Sequence, residues 1–220
     1  MSEITIIGGH GKVALQLARL LSTQGETVNA VIRKEEQAQD IENTGATPVV
    51  ADVQDMDVAA LTELLSGQET VVWSAGAGGG SPERTWAVDR DAAIRSMDAA
   101  QAAGVSRYIM VSYMGAGQDH GLSEDDDFYP YAQAKADADD HLRASSLDWT
   151  ILGPGALTDD DPSGSITLGK VDGGGDSSTA RGNVALVAAR AIADPRGTSG
   201  KFIEFADGDT PIAQALDSLD

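Results

Sequence analysis

Through residue 152, short apolar runs rich in β-branched residues alternate with stretches of helical period. The runs are Ile4–Ile7, Thr27–Ile32, Thr47–Val50, Thr70–Trp73, Tyr108–Val111 and Trp149–Leu152. Between the first two, Val13, Ala14, Leu17, Leu20 and Leu21 recur on one face of a helix. Comparable stretches predict helices near 11–24, 34–43, 57–65, 84–103 and 131–145. Strands separated by crossovers of this length pair in parallel, since a parallel connection needs about a dozen residues or more. The pattern therefore predicts an α/β protein with a six-stranded, doubly wound parallel sheet of Rossmann type.

The texture changes after Leu152. Gly153, Pro154 and Gly155 break the pattern, and residues 158–178, rich in Asp, Gly and Ser, predict a loop. A helix at about 180–193, carrying Val184, Val187, Ala188 and Ala191 on one face, and a strand at about 201–205 follow. Roughly 65 residues are few for an independent core. Residues 1–220 are accordingly predicted as one domain, of which 153–220 forms a substrate-side extension packed on the main sheet.

Composition narrows the function classes. With 41% hydrophobic and 23% charged residues in 220, the chain reads as globular. Fifteen Lys and Arg against 35 Asp and Glu leave a net charge of −20, a field that repels phosphate backbones and anionic lipid. Neither a nucleic acid nor a membrane is expected as partner. The absence of cysteine excludes disulfides, thiol catalysis and Cys-ligated metal. Met1 to Ile7 holds too short an apolar run for a signal peptide or a span. The expectation is a soluble, cytoplasmic monomer or homodimer that meets a small molecule. His10, His120 and His141 are widely spaced without a ligand pattern, so no metal is expected. The acidic clusters Asp125–Asp127 and Asp159–Asp161 read as solvated surface and lack the spacing of a calcium loop.

The first strand runs directly into Gly8-Gly9-His10-Gly11-Lys12-Val13-Ala14 and then the amphipathic helix. Glycines at such a turn let backbone amides reach a pyrophosphate at the positive helix N-terminus. The spacing G-x-x-G-x-x-A, after strand one of a doubly wound pattern, predicts a dinucleotide site at Gly8, His10, Gly11, Lys12 and Val13. The second strand ends in Arg33 and Lys34, where an NAD site would usually offer a carboxylate to the ribose. A guanidinium there can grip the 2′-phosphate of NADP. The two cations could instead be a surface pair offset by Glu35 and Glu36. NADP is thus the preferred cofactor, with NAD possible. Asp52 and Val53 end strand three; Asp52 could accept from the adenine amino group or cap the next helix. Ser74, Ala75 and Gly76 open a run of small residues to Gly80 that leaves room for a cofactor or makes a flexible loop.

Tyr131 and Lys135 stand four residues apart on one predicted helix face. A free phenol titrates near about 10, so it exchanges protons near neutrality only if a neighbouring cation favours phenolate. Lys135 could supply that charge, unless Asp139 occupies the ammonium or the pair is simply exposed.

Taken in order, Gly8-x-x-Gly11-x-x-Ala14, Asp52-Val53, Ser112 at the end of strand five, Tyr131-x-x-x-Lys135 and Leu152-Gly153-Pro154-Gly155 resemble the short-chain dehydrogenase/reductase superfamily. More closely, nearly the whole chain resembles its atypical NAD(P)H-binding members, the NmrA-like and biliverdin-reductase-B-like group. Ser146–Leu152 and Gly208–Ile212 look like stretches recurring there. The resemblance implies an NADP-type cofactor over the sheet, with Lys135 bonding the nicotinamide ribose, Tyr131 giving or taking a proton, and Pro154 among the cofactor contacts. It departs from the group where Gly153-Pro154-Gly155 replaces Arg-Pro-Gly, and the superfamily's serine falls at Ser112 or gives way to Tyr113. The function implied is an oxidoreductase passing hydride to or from a small carbonyl or unsaturated substrate. The alternatives are a non-catalytic redox sensor, an epimerase or dehydratase, or a flavin or quinone reductase.

Overall fold

Alternating side-chain direction along each strand, and one apolar stripe per helix, dictate which face every element buries. The structure is a computed structural model, and it describes residues 2–78, 81–169 and 177–219. β1 (Glu3–Ile7) turns into α1 (Lys12–Thr23), which buries Val13, Ala14, Leu17, Ala18 and Leu21 as its pattern dictates. β2 (Thr27–Ile32), α2 (Ala38–Glu42), β3 (Thr47–Val50), α3 (Val58–Leu64) and β4 (Thr70–Trp73) follow. Next come α4 (Pro82–Thr85), α5 (Ala93–Ala103), β5 (Arg107–Val111), α6 (Tyr129–Ala144) and β6 (Asp148–Pro154). The remainder forms β7 (Ala156–Thr158), β8 (Ser165–Leu168), β9 (Ser178–Ala180), α7 (Arg181–Ala193), β10 (Lys201–Asp207), β11 (Thr210–Pro211) and α8 (Ile212–Asp217).

Among the described residues, nine strands join one sheet in the order β11-β8-β10-β6-β5-β4-β1-β2-β3. From β10 to β3 every pairing is parallel, and β8 and β11 add antiparallel strands at one edge. This is the Rossmann arrangement, with helices on both faces. Ile4, Ile6, Val72 and Ile109 face a core built with α1 and α7, while Ile7, Val71, Trp73 and Met110 face one built with α3 and α5. Burial on both faces explains why these strands read as continuous apolar runs. No described helix is long and apolar enough to cross a membrane.

Five local expectations change. The glycine-proline break does not end β6, because Gly153 and Pro154 pair with Glu204 and Phe205 of β10. A side chain at Gly153 would sit 2.6 Å from the Phe202 ring, so the glycine marks close packing rather than a turn. The predicted loop 158–178 contains β8 and the start of β9, while its residues 170–176, like Gly79 and Gly80, lie outside the described residues. β10 enters the sheet beside β6 instead of packing upon it. Finally, the helix expected over 84–103 is interrupted by a π-helical segment, Trp86–Ala92, and the one expected over 34–43 shrinks to a 3-10 turn at Glu35–Gln37 followed by α2. A π segment carries extra residues per turn and re-aims side chains; here it holds Asp89.

Candidate functional site

β1 is flanked by β2 on one side and β4 on the other, so the chain reverses its winding direction there and opens a crevice beyond the strands' carboxyl ends. Gly8 has φ +83°, and a Cβ there would lie 2.6 Å from the Ala75 backbone; only glycine fits. The Gly11 amide donates to the Gly8 carbonyl at 2.9 Å, which closes the turn. Gly11 caps α1 without a side chain, and no acid stands in the first helical turn. The opening amides of α1 therefore lack side-chain acceptors.

The crevice has two lobes. Gly8 and His10 from the turn, Arg33 from the end of β2, and Asp52 and Val53 after β3 line the smaller, of about 240 Å³. Lys12, Val13, Ser112, Tyr131 and Lys135 line the larger, of about 720 Å³. Gly11, Ser74, Ala75 and Gly76 border both, so the glycine turn stands where the lobes meet. Two candidate residues stay outside. Lys34 turns to Glu36 at 3.3 Å, the exposed-pair alternative. Pro154 is buried in β6, its carbonyl accepting from the Met114 amide at 2.8 Å. Asp57, not Asp52, caps α3 by accepting from the Ala60 amide; Asp52 accepts from the Gln54 amide at 3.1 Å. His10 pairs with Asp40 at 2.8 Å. Arg33 is exposed, with no side-chain partner among the described residues.

The floor of the larger lobe carries charge that the sequence pattern did not announce. Lys135 is 1% exposed. Its ammonium donates to the Val111 carbonyl at 2.8 Å and to Met110 Sδ at 3.3 Å. Ser112 Oγ donates to Asp139 Oδ2 at 2.6 Å, and Asp139 Oδ1 is buried without a hydrogen-bond partner among the described residues. Asp89 Oδ2 accepts from the Ala77 amide at 2.9 Å, tying the loop after β4 to the π segment. Ser112 rather than Tyr113 lines the lobe. Tyr113 packs 5.5 Å from the Tyr131 ring, which also meets Phe128 at 5.2 Å.

This arrangement reverses one expectation. Burial, reinforced by Asp89, Tyr113 and Asp139, pushes the Tyr131 phenol above its ordinary range. The Lys135 charge acts instead on Asp89 and Asp139. Tyr131 is thereby held protonated, and its hydroxyl has no hydrogen-bond partner among the described residues. Both carboxylates fall on apolar stripes: Asp89 precedes buried Ala93 and Met97 by four and eight residues, and Asp139 lies between buried Lys135 and Leu142. A charge in core phase was thus the available signal for either. Arg84, in the smaller lobe, and Arg181, in the larger, left no such mark.

Burial is the main cause that raises Asp139 and Asp89, opposed by Lys135 in both. Below the unfolded carboxyl pKa of about 3.9 both states hold the proton, and the contribution to stability is complete. It is lost as pH rises through the raised native value, because only the native state must then bury charge. The melting temperature should accordingly rise as pH falls from neutral toward about 5, and Asp139→Asn should flatten that rise. Thermal denaturation across this range checks it; an identical slope in the variant would exclude Asp139 as a source.

A family model described as NAD(P)H-binding matches residues 8–195, a span from the glycine turn through α7. The chain belongs to that family. The chain is similar to a Bacillus subtilis protein named an uncharacterized sugar epimerase, 33% identical over 99% of this chain and 100% of the other. A Bacillus halodurans structure provisionally named an NAD-dependent epimerase/dehydratase superposes with TM-score 0.89, at 32% identity over 99% of this chain and 100% of that one. An oxidoreductase of Lactococcus lactis superposes with TM-score 0.86, at 32% identity over 99% and 96%. These relationships agree with an atypical short-chain dehydrogenase/reductase group.

The residues present fit a nicotinamide dinucleotide. The side-chain-free turn at Gly8 and Gly11, the uncapped amides of α1 and the two lobes joined at that turn provide for a ligand with two halves bridged by an anion.

Proposed function

We propose that this NAD(P)H-binding protein is an NADP-dependent reductase of small carbonyl or otherwise unsaturated substrates, with Tyr131 as proton donor. The observation that carries the reading is the Tyr131 hydroxyl, without a hydrogen-bond partner among the described residues, in the same lobe as Lys135 beside the glycine turn, where burial raises the phenol's pKa. When bound, the nicotinamide supplies a hydride.

The chain's own residues divide the remaining work. Amides of Lys12 and Val13 stand where α1 begins and suit a pyrophosphate. Arg33, without a side-chain partner among the described residues, suits the 2′-phosphate, and Asp52 the adenine amino group. An ammonium has three donors, of which Lys135 spends two on Val111 and Met110, so one remains for a ribose hydroxyl. Ser112 is held by Asp139 and shapes the floor. Phe128 and Leu157, exposed apolar side chains at the lobe, can cover an apolar substrate body. Tyr131 Oη would give its proton to the carbonyl oxygen, which takes the C=O π pair when the carbon accepts hydride, and solvent would reprotonate the resulting phenolate. The raised pKa keeps the phenol in the protonated form that reduction needs but makes it a reluctant acid, so transfer depends on the substrate oxygen becoming an alkoxide more basic than phenolate.

The test is oxidation of NADPH and NADH across aldehydes, ketones, quinones and flavins. The expected result is turnover with at least one carbonyl and a preference for NADPH. Tight NADPH binding with no acceptor consumed would favour the redox sensor instead.

A further inference from the structure

The chain carries 15 cations and 35 acids, yet the two lobes reverse that balance. Five cations line them, Arg33, Arg84, Lys12, Lys135 and Arg181, against the three carboxylates of Asp52, Asp89 and Asp127. Arg33 and Lys135 have roles in the reading above. Lys12 and Arg181, the first residues of α1 and α7, reach the larger lobe from two packed helices.

Both are held by the same carboxylate. Asp159, just past β7, accepts from Lys12 Nζ at 2.5 Å through Oδ2 and from Arg181 at 2.8 Å through Oδ1. The Lys12 ammonium, with Arg181 behind it, holds this carboxyl below the ordinary carboxylate range. Lys12 is 64% and Asp159 62% exposed, while Arg181 is 24% exposed and better anchored. Exposed pairs of this kind contribute little to stability, so exchanging one anion for another costs little.

We propose that Lys12 and Arg181 form an anion-binding site at the glycine-turn side of the larger lobe, in which Asp159 stands in for a carboxylate or phosphate of the bound ligand. A guanidinium and an ammonium converging on two oxygens of one carboxylate match the geometry of either anion. The group can belong to the cofactor, as its pyrophosphate, or to the substrate, as an acid function on the carbonyl compound. In the second case the lobe selects anionic over neutral substrates. When the ligand arrives, Asp159 swings out to solvent, which its exposure permits.

The experiment uses the full chain, its Asp159→Asn variant and the double variant Lys12→Ala with Arg181→Ala, each checked for an unchanged melting profile. Calorimetry measures inorganic pyrophosphate and NADPH on the free protein, and succinate on the NADPH-saturated protein. Removing both cations should weaken at least one probe by about tenfold or more, the scale of charge-assisted hydrogen bonds. Asp159→Asn should tighten the same probe by removing its competitor, and added salt should erase the difference. Loss on pyrophosphate and NADPH assigns the cofactor as source; loss on succinate alone assigns the substrate. Unchanged affinities in the double variant overturn the proposal, as does Asp159→Asn weakening binding as much as the double variant. Pyrophosphate reports on the pair without any nicotinamide, so a parent that binds pyrophosphate but not NADPH would refute the reductase reading and leave this site standing.

Discussion

Tyr131→Phe should lower NADPH-dependent turnover by roughly 10²–10⁴-fold, the usual contribution of a positioned general acid. The substitution deletes one hydroxyl and keeps the ring that packs against Tyr113 and Phe128, so the aromatic wall survives. The lost hydroxyl has no described partner, which means that no buried donor or acceptor is orphaned by its removal. Melting temperature and NADPH affinity are therefore expected to stay close to the parent's. Lys135→Ala differs: it empties a fully buried position, releases the Val111 carbonyl and leaves Asp89 and Asp139 without their shared counter-charge. That variant should lose stability and cofactor affinity together. Steady-state rates with the best carbonyl from the panel, alongside NADPH titration, separate the two. Full turnover in Tyr131→Phe would remove Tyr131 as the proton donor.

Arg33→Ala should reduce the preference for NADPH over NADH by about 10–100-fold, the range of one charged hydrogen-bonding group. NADH affinity itself should barely move, because the 2′-phosphate is what the guanidinium is proposed to hold. Lys34→Ala provides the contrast. Lys34 is adjacent in sequence and equal in charge, but its ammonium turns to Glu36 and lies outside the lobe. A simple loss of net positive charge would affect both variants alike, whereas a specific grip affects Arg33 alone. Fluorescence titration of both nucleotides against the parent and each variant decides between them. Equal NADPH and NADH affinities in the parent would contradict NADP selectivity outright.

Local pattern made much of the molecule legible. The six apolar runs are strands, the one-faced stripe of α1 is buried as its period demands, and the glycine turn takes the conformation its spacing implies. These features depend on contacts near in sequence, or on a backbone shape only glycine tolerates. Most candidate residues therefore reached the crevice, because the ends of parallel strands converge on one edge whatever else the fold does.

Long-range contacts decided the rest. Gly153 and Pro154 carry the local signature of a break, but pairing with β10 supplies the ladder that keeps them in the sheet. The π segment that directs Asp89 into the lobe breaks a helix that its sequence predicts as continuous. Tyr131 and Lys135 have the spacing of a coupled pair, yet the ammonium bonds the Val111 carbonyl at the end of β5 and its charge acts on two buried carboxylates, while burial against an aromatic wall raises the phenol's pKa. Asp159 looked like one more solvated acid until α1 and α7 packed side by side and put Lys12 and Arg181 within its reach. In each case the deciding energy is electrostatic or packing energy between groups far apart along the chain. Periodicity records which face a residue takes, but not which distant charge it will meet there.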